Sequence, residues 1–266
     1  NGLPEFKFAS KSEEVNTSKL VALNIPGVDE EKYSAYNANL MRFEYTLAYN
    51  RFKSPLRTYG WNKAAGLFWT NFYVLPKNES KAVEKYFKSI KLNGLTLCQK
   101  IRAIENKVKG EITITKDLPE SPSLDKVIEL KQAKPEGAVK LFVNLYTLAK
   151  INFELVLTTD RTKKSFDPDF NSMNFLDDYL IYFPELNDFI YPDEPTTRLG
   201  ILQGEYTGNY GLFLHPISLD DKLKTLAYDL RFIPYENYLR NADSLIMNLS
   251  VDPAQLQMEV NTRRVF

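Results

Sequence analysis

The chain has 266 residues, 44% of them hydrophobic and 13% aromatic, which suits one large domain or two small ones with buried cores and excludes global disorder. Its 34 Lys and Arg balance 34 Asp and Glu, so no overall positive field gathers a phosphate backbone, and nucleic acid is not an expected partner. A single cysteine, Cys98, excludes an internal disulfide, and a single histidine, His215, starves both His/Cys zinc sites and hydrolytic triads of their usual side chains.

The longest apolar stretches, such as 153–157 and 179–183, fall far short of the roughly 20 residues that a bilayer-spanning helix needs, so no membrane span is predicted. Residues 37–52 read as a strand, because Met41, Phe43, Tyr45, Leu47 and Tyr49 alternate with Arg42, Glu44, Thr46 and Ala48. From Trp61 the period becomes helical through Ala64, Ala65, Phe68, Trp69 and Phe72, until Leu75-Pro76 closes the segment. A helix over 79–91 is expected with Asn78 as its cap and Val83, Tyr86, Phe87 and Ile90 on one face. Leu97, Ile101, Ile104 and Val108 place another over 96–109.

Residues 111–130 read as a surface crossing broken by Pro119 and Pro122, with Ser123 capping a short helix that carries Leu124, Val127, Ile128 and Leu130. A buried helix over 136–150 (Val139, Phe142, Val143, Tyr146, Leu148) runs straight into a strand over 153–159. Further strands are expected at 178–183, 189–191, 212–214, 226–232, 245–251 and 256–265, with turns at His215-Pro216 and Asp252-Pro253. A strand, then helices, then a strand-rich half is an α+β order rather than alternating βαβ units.

The run Asn24-Ile25-Pro26-Gly27-Val28-Asp29-Glu30-Glu31-Lys32-Tyr33, followed by Asn39-Leu40-Met41-Arg42-Phe43-Glu44-Tyr45, resembles the joining region of bacterial multidomain transglutaminase-like proteins. Trp61 on a first helix, Ser123-Leu124-Asp125-Lys126-Val127 and Phe153-Glu154-Leu155-Val156-Leu157-Thr158-Thr159-Asp160-Arg161 follow in the family's order, so that roughly 24–215 fits the pattern. The resemblance implies helices packed on an antiparallel sheet, divided as the end of an N-terminal β domain with its joining strand (1–52), a transglutaminase-like core (53–220) and the start of a C-terminal β domain (221–266). It also implies a larger cell-envelope or periplasmic protein whose flanking domains are its neighbours.

Where the family is active, a cysteine at the N-terminus of the core helix is activated by a histidine on the following sheet, itself oriented by an aspartate. Here the cysteine position falls within Lys134-Pro135-Glu136-Gly137-Ala138 and the histidine position near Phe175-Leu176-Asp177-Asp178-Tyr179, and neither side chain is present. Only Asp193 matches the third member. No catalytic residue is assigned, and the expected function is a non-catalytic binding or scaffolding module. Its degenerate cleft, lined by Lys134, Glu136, Ala138, Asp177, Asp178 and Asp193, is expected to take a peptide or a glycan. Cys98 and His215 are expected to be structural.

The acids invite a competing reading. Residues 165–195 hold eight Asp and Glu and no Lys or Arg, whereas 77–110 hold nine basic residues and three acids, a contrast read as solvated faces of separate elements. Asp167, Asp169, Asn171 and Asp178 have calcium-loop spacing, although Ser172 stands where the sharp turn wants Gly and Asp178 replaces the bidentate Glu. The alternative function is therefore a carboxylate-dependent hydrolase or a calcium-binding enzyme using 165–195. Asp177 and Asp178 are expected on opposite faces of a strand and so do not form an acid–base pair. Gly200, Gly204, Gly208 and Gly211 match no phosphate loop and are expected to permit turns; Tyr191, Tyr206 and Tyr210 offer aromatic surfaces for stacking, against which chance proximity in a chain with 16 tyrosines is the preferred explanation.

Overall fold

The computed structural model describes residues 7–9, 19–21, 23–25, 27–28, 31, 35–42, 44–46, 49–50, 52–218, 224–235, 244–254 and 257–265. Two short strands, β1 (Lys7–Ala9) and β2 (Lys19–Val21), pair antiparallel, and one helical turn, α1 (Tyr36–Asn39), follows. The strand expected over 37–52 does not form among the described residues of that stretch, where Tyr49 makes only an isolated bridge to Arg57. Alternation specifies a half-buried strand only if a sheet accepts it, and here Leu40, Met41, Tyr45 and Tyr49 remain exposed. Pro26, Asp29, Glu30, Lys32, Tyr33, Phe43, Leu47 and Ala48 belong to the sequence readings but lie outside the described residues.

The helical region begins with α2 (Trp61–Phe68), which runs on into a π-helical turn, Trp69–Tyr73. Next comes α3 (Lys77–Lys88), whose N-cap is Pro76 rather than Asn78, so the helix starts two residues earlier than expected. In α4 (Leu97–Glu111) the cap is Thr96: its hydroxyl accepts from the Gln99 amide while the Gln99 side chain accepts from the Thr96 amide, a reciprocal capping box. The short parallel pair β3 (Thr113–Ile114) and β4 (Gln132–Ala133) brackets α5 (Leu124–Leu130). Leu124 and Val127 are buried as expected, whereas Leu130 is exposed.

The central helix is α6 (Pro135–Leu148), started by a proline whose missing N–H costs nothing at the first helical position. It buries residues on nearly every side, from Gly137 through Tyr146, because other helices and the sheet enclose it. Asn144 secures the π-turn, donating from Nδ2 to the Phe72 carbonyl and to the Lys140 carbonyl, each at 2.8 Å.

Beyond α6 the chain forms β5 (Glu154–Thr158), β6 (Asp178–Phe183), β7 (Asp188–Ile190), β8 (Asn209–Ser218) and β9 (Lys224–Ile233). They make one antiparallel sheet in the order β7-β6-β5-β8-β9, with β5 in the centre. The sheet runs across residue 220, the boundary expected between core and C-terminal segment. The period of two sends Leu155, Leu157, Ile181 and Leu212 into the main core with the helices. Val156, Leu180, Phe189 and Phe213 point into a second cluster closed by Tyr191, Leu202 and Tyr206. Each face therefore has its own apolar cover, and the molecule is of the mixed α+β class.

Two turn expectations are corrected here. His215-Pro216 is not a turn: His215 pairs with Ala227 and Pro216 with Leu226 inside β8. On its other side β8 pairs with β5 only at 212–214, so Pro216 withholds no N–H from a neighbour there. Gly211 also lies within β8, where a Cβ would come within 2.9 Å of Val156 Cγ1. The last described elements, β10 (Ser244–Asp252) and β11 (Gln257–Val265), form a separate two-stranded hairpin, and Leu256 lies outside the described residues. No helix among the described residues is long and apolar enough to cross a membrane.

Candidate functional site

Three segments distant in sequence converge on a cavity of about 210 Å³. Lys134 with the start of α6 supplies a cation, Pro135 and Glu136; Asp177 with the start of β6 supplies two carboxylates and Tyr179; and the loop after β7 supplies Asp193. Lys116, just past β3, completes the lining. Topology explains the meeting: α6 packs across the sheet, and β6 begins and β7 ends at the same edge of the antiparallel ladder. Of the six cleft residues expected from sequence, five line this cavity. Ala138 does not; it is fully buried, because it belongs to the inward face of α6.

The carboxylates are not equivalent. Burial pushes the Asp193 carboxyl up to about 6, and the neighbouring Asp178 charge adds to the rise, against the favourable fields of Lys116 and Lys109. Asp193 Oδ1 is covered and has no hydrogen-bond partner among the described residues. Burial also raises Asp178, opposed by a hydrogen bond in which the Tyr206 hydroxyl donates to Asp178 Oδ1 at 3.3 Å. The Tyr191 and Tyr206 hydroxyls lie 2.8 Å apart. Since the Tyr206 proton is directed at the carboxylate, Tyr191 donates to Tyr206, giving a relay Tyr191, Tyr206, Asp178. Burial and the surrounding acids push the Tyr179 phenol up to about 12, so it stays protonated as a donor at the cavity wall.

Several expectations change on these contacts. Asp177 precedes β6 rather than lying in it, so Asp177 and Asp178 line the same cavity instead of opposite faces. Tyr191 and Tyr206 are buried and hydrogen-bonded to each other, not open for stacking. The candidate calcium set is dispersed: Asp178 lines this cavity, Asp167 a groove beside Arg42 and Phe170, and Asn171 a third cavity. Asp167 Oδ1 instead accepts from the Asp169 amide at 2.9 Å, a local turn. Among the described residues no three His, Cys, Asp or Glu side chains gather as a metal site.

Cys98 sits in the first turn of α4, packed against the main core, and His215 lies on β8 with Nδ1 3.9 Å from Asp229 Oδ2. Neither lines the cavity. The sequence reading missed Lys116 and the role of Tyr206. No local pattern links position 116 or 206 to position 178; only the folded sheet does.

A buried anchor holds the loop that carries Asp193. Lys109 Nζ, on α4, donates to Glu105 Oε1 at 2.8 Å and to the Thr197 carbonyl at 3.0 Å, while Glu105 Oε2 accepts from the Leu199 amide at 2.9 Å. Both charged side chains are fully buried, and burial lowers the Lys109 ammonium below its ordinary value despite the opposing charge of Glu105. In comparisons with protein-family models, curated proteins and solved structures, nothing matches this chain.

Proposed function

We propose that the chain is a transglutaminase-like core without its acyl-transfer pair, working as a binding or scaffolding module of a larger cell-envelope protein and taking a peptide or glycan segment in its cleft. The observation that carries this reading is the cavity. The segments to which the resemblance assigns cysteine, histidine and aspartate line it together, and of those three residue types only the aspartate, Asp193, is present. Four carboxylates and two ammonium groups surround a small space, and a covered carboxylate oxygen, Asp193 Oδ1, lacks a donor among the described residues. Peptide amides and sugar hydroxyls are neutral donors of the kind such an oxygen accepts. The larger protein and its envelope location rest on the resemblance alone.

The test is a binding screen of short peptides and oligosaccharides against the parent chain and its Asp178→Asn and Asp193→Asn variants. The expected result is a ligand whose affinity falls roughly tenfold or more in either variant. Binding that survives both substitutions, or a panel with no ligand, overturns the reading.

A second reading, carboxylate-dependent hydrolysis, is favoured by one observation: Asp178 and Asp193 share the cavity, and the Asp178 charge adds to the affinity of Asp193 for a proton. It requires glycosidase or peptidase turnover that depends on Asp193 and loses its acid catalyst as pH rises through about 6. Absence of turnover against the ligands found in the screen removes it.

A further inference from the structure

We propose that a second cavity, in front of the N-terminus of α2, binds a small organic anion: one carboxylate or phosphate group on an aromatic body. This cavity, of about 720 Å³, is lined by Asn50, Lys53, Ser54 and residues 56–63 together with Asn171 and Tyr228 of β9, and its size is that of ordinary small-molecule sites. Its charge is opposite to that of the cleft. Among the described residues Lys53, Arg57 and Lys63 line it, no Asp or Glu does, and none of the three cations has a carboxylate partner. Among the described residues only the Lys63 side chain of the three has a hydrogen-bond partner, donating from Nζ to the Thr58 carbonyl at 2.8 Å.

The helix end adds to this field. α2 begins after Gly60, which offers no capping side chain, and its first turn contains no acid; Asn62 Oδ1 accepts from the Lys63 amide at 2.8 Å, and the rest of the positive pole is left to a ligand. The aromatic body has its own counterparts in Tyr59, Trp61 and Tyr228. Trp61 is only 5% exposed, yet among the described residues its indole N–H has no partner, and the buried Tyr59 hydroxyl has none either. Unpaired buried donors are costly, and an anionic oxygen that reaches them is the strongest acceptor. Cations around an aromatic, uncapped helix entrance thus select for charge and for a flat apolar body at once.

Titration calorimetry on the full chain tests this with phenyl phosphate, benzoate, benzylamine and inorganic phosphate. Phenyl phosphate or benzoate is expected to saturate a single site, and the tighter of the two identifies the anionic group. Benzylamine is expected not to bind there. The Arg57→Gln/Lys63→Gln double variant is expected to weaken the anion by roughly tenfold or more, while Lys85→Gln, on an exposed face of α3, leaves it unchanged. The proposal is overturned if neither aromatic anion binds, if benzylamine binds as tightly, if inorganic phosphate matches phenyl phosphate, or if the double variant keeps the parent affinity.

Discussion

Asp193 holds a carboxyl group whose folded surroundings disfavour its charge. Its protonation midpoint lies near 6 in the folded chain against an ordinary value near 4, so between those pH values the native state binds more protons than the unfolded one. Stability from this group is therefore fully present below about pH 4 and is lost as pH rises through about 6. The Asp193→Asn variant is expected to melt close to the parent at pH 4 and above it at pH 7, read by thermal denaturation at both values. A constant difference across the range would show that Asp193 ionises normally. At this scale the sequence was informative about position rather than chemistry. Lys134, Glu136, Asp177, Asp178 and Asp193 were expected in one cleft and do share one cavity, whereas the raised affinity of Asp193 for its proton follows from burial, which no spacing encodes.

Among the elements, the contact between α4 and the 194–199 loop decides how firmly Asp193 is held. Replacing Lys109 by Met leaves Glu105 charged and buried without its cation, an arrangement that costs about 3–5 kcal/mol. Adding Glu105→Gln removes that charge while keeping an oxygen for the Leu199 amide, so the double variant is expected to recover part of the loss in urea unfolding. Full additivity of the two substitutions would contradict the coupling. Removing the Thr96 cap by Thr96→Ala is expected to cost about 1 kcal/mol by the same measurement. Elements with a strong period were legible: 178–183 reads as a strand and is β6, and the helical spacing from Leu97 to Val108 is α4. The failures have a common physical origin. Residues 37–52 alternate without a described partner strand, and His215-Pro216 carries a turn signature inside a ladder, so in both cases the neighbouring strand decided the outcome.

For the whole molecule, the neutral total conceals a meeting of opposites. The basic stretch 77–110 and the acid-rich stretch 165–195 come together at Lys109, whose charge favours the ionised forms of Asp193 and Glu194, while Thr197 and Arg198, just past the acid-rich stretch, bond to Lys109 and Asn106 of α4. The other large-scale feature is the hairpin of β10 and β11. Every residue of it whose exposure is described is exposed, including Leu245, Met247, Leu249 and Val260. A two-stranded ribbon gains little stability in water by itself, since no third layer dehydrates it. Deleting 244–265 is accordingly expected to leave the melting temperature of the remaining chain within a degree or so, because surface changes away from the core have small effects. A large drop would mean that the ribbon braces the body. Hydrogen–deuterium exchange will separate the two regions in one experiment: β5 amides will exchange only through global opening, whereas those of β10 and β11 will follow their own, much cheaper fluctuation.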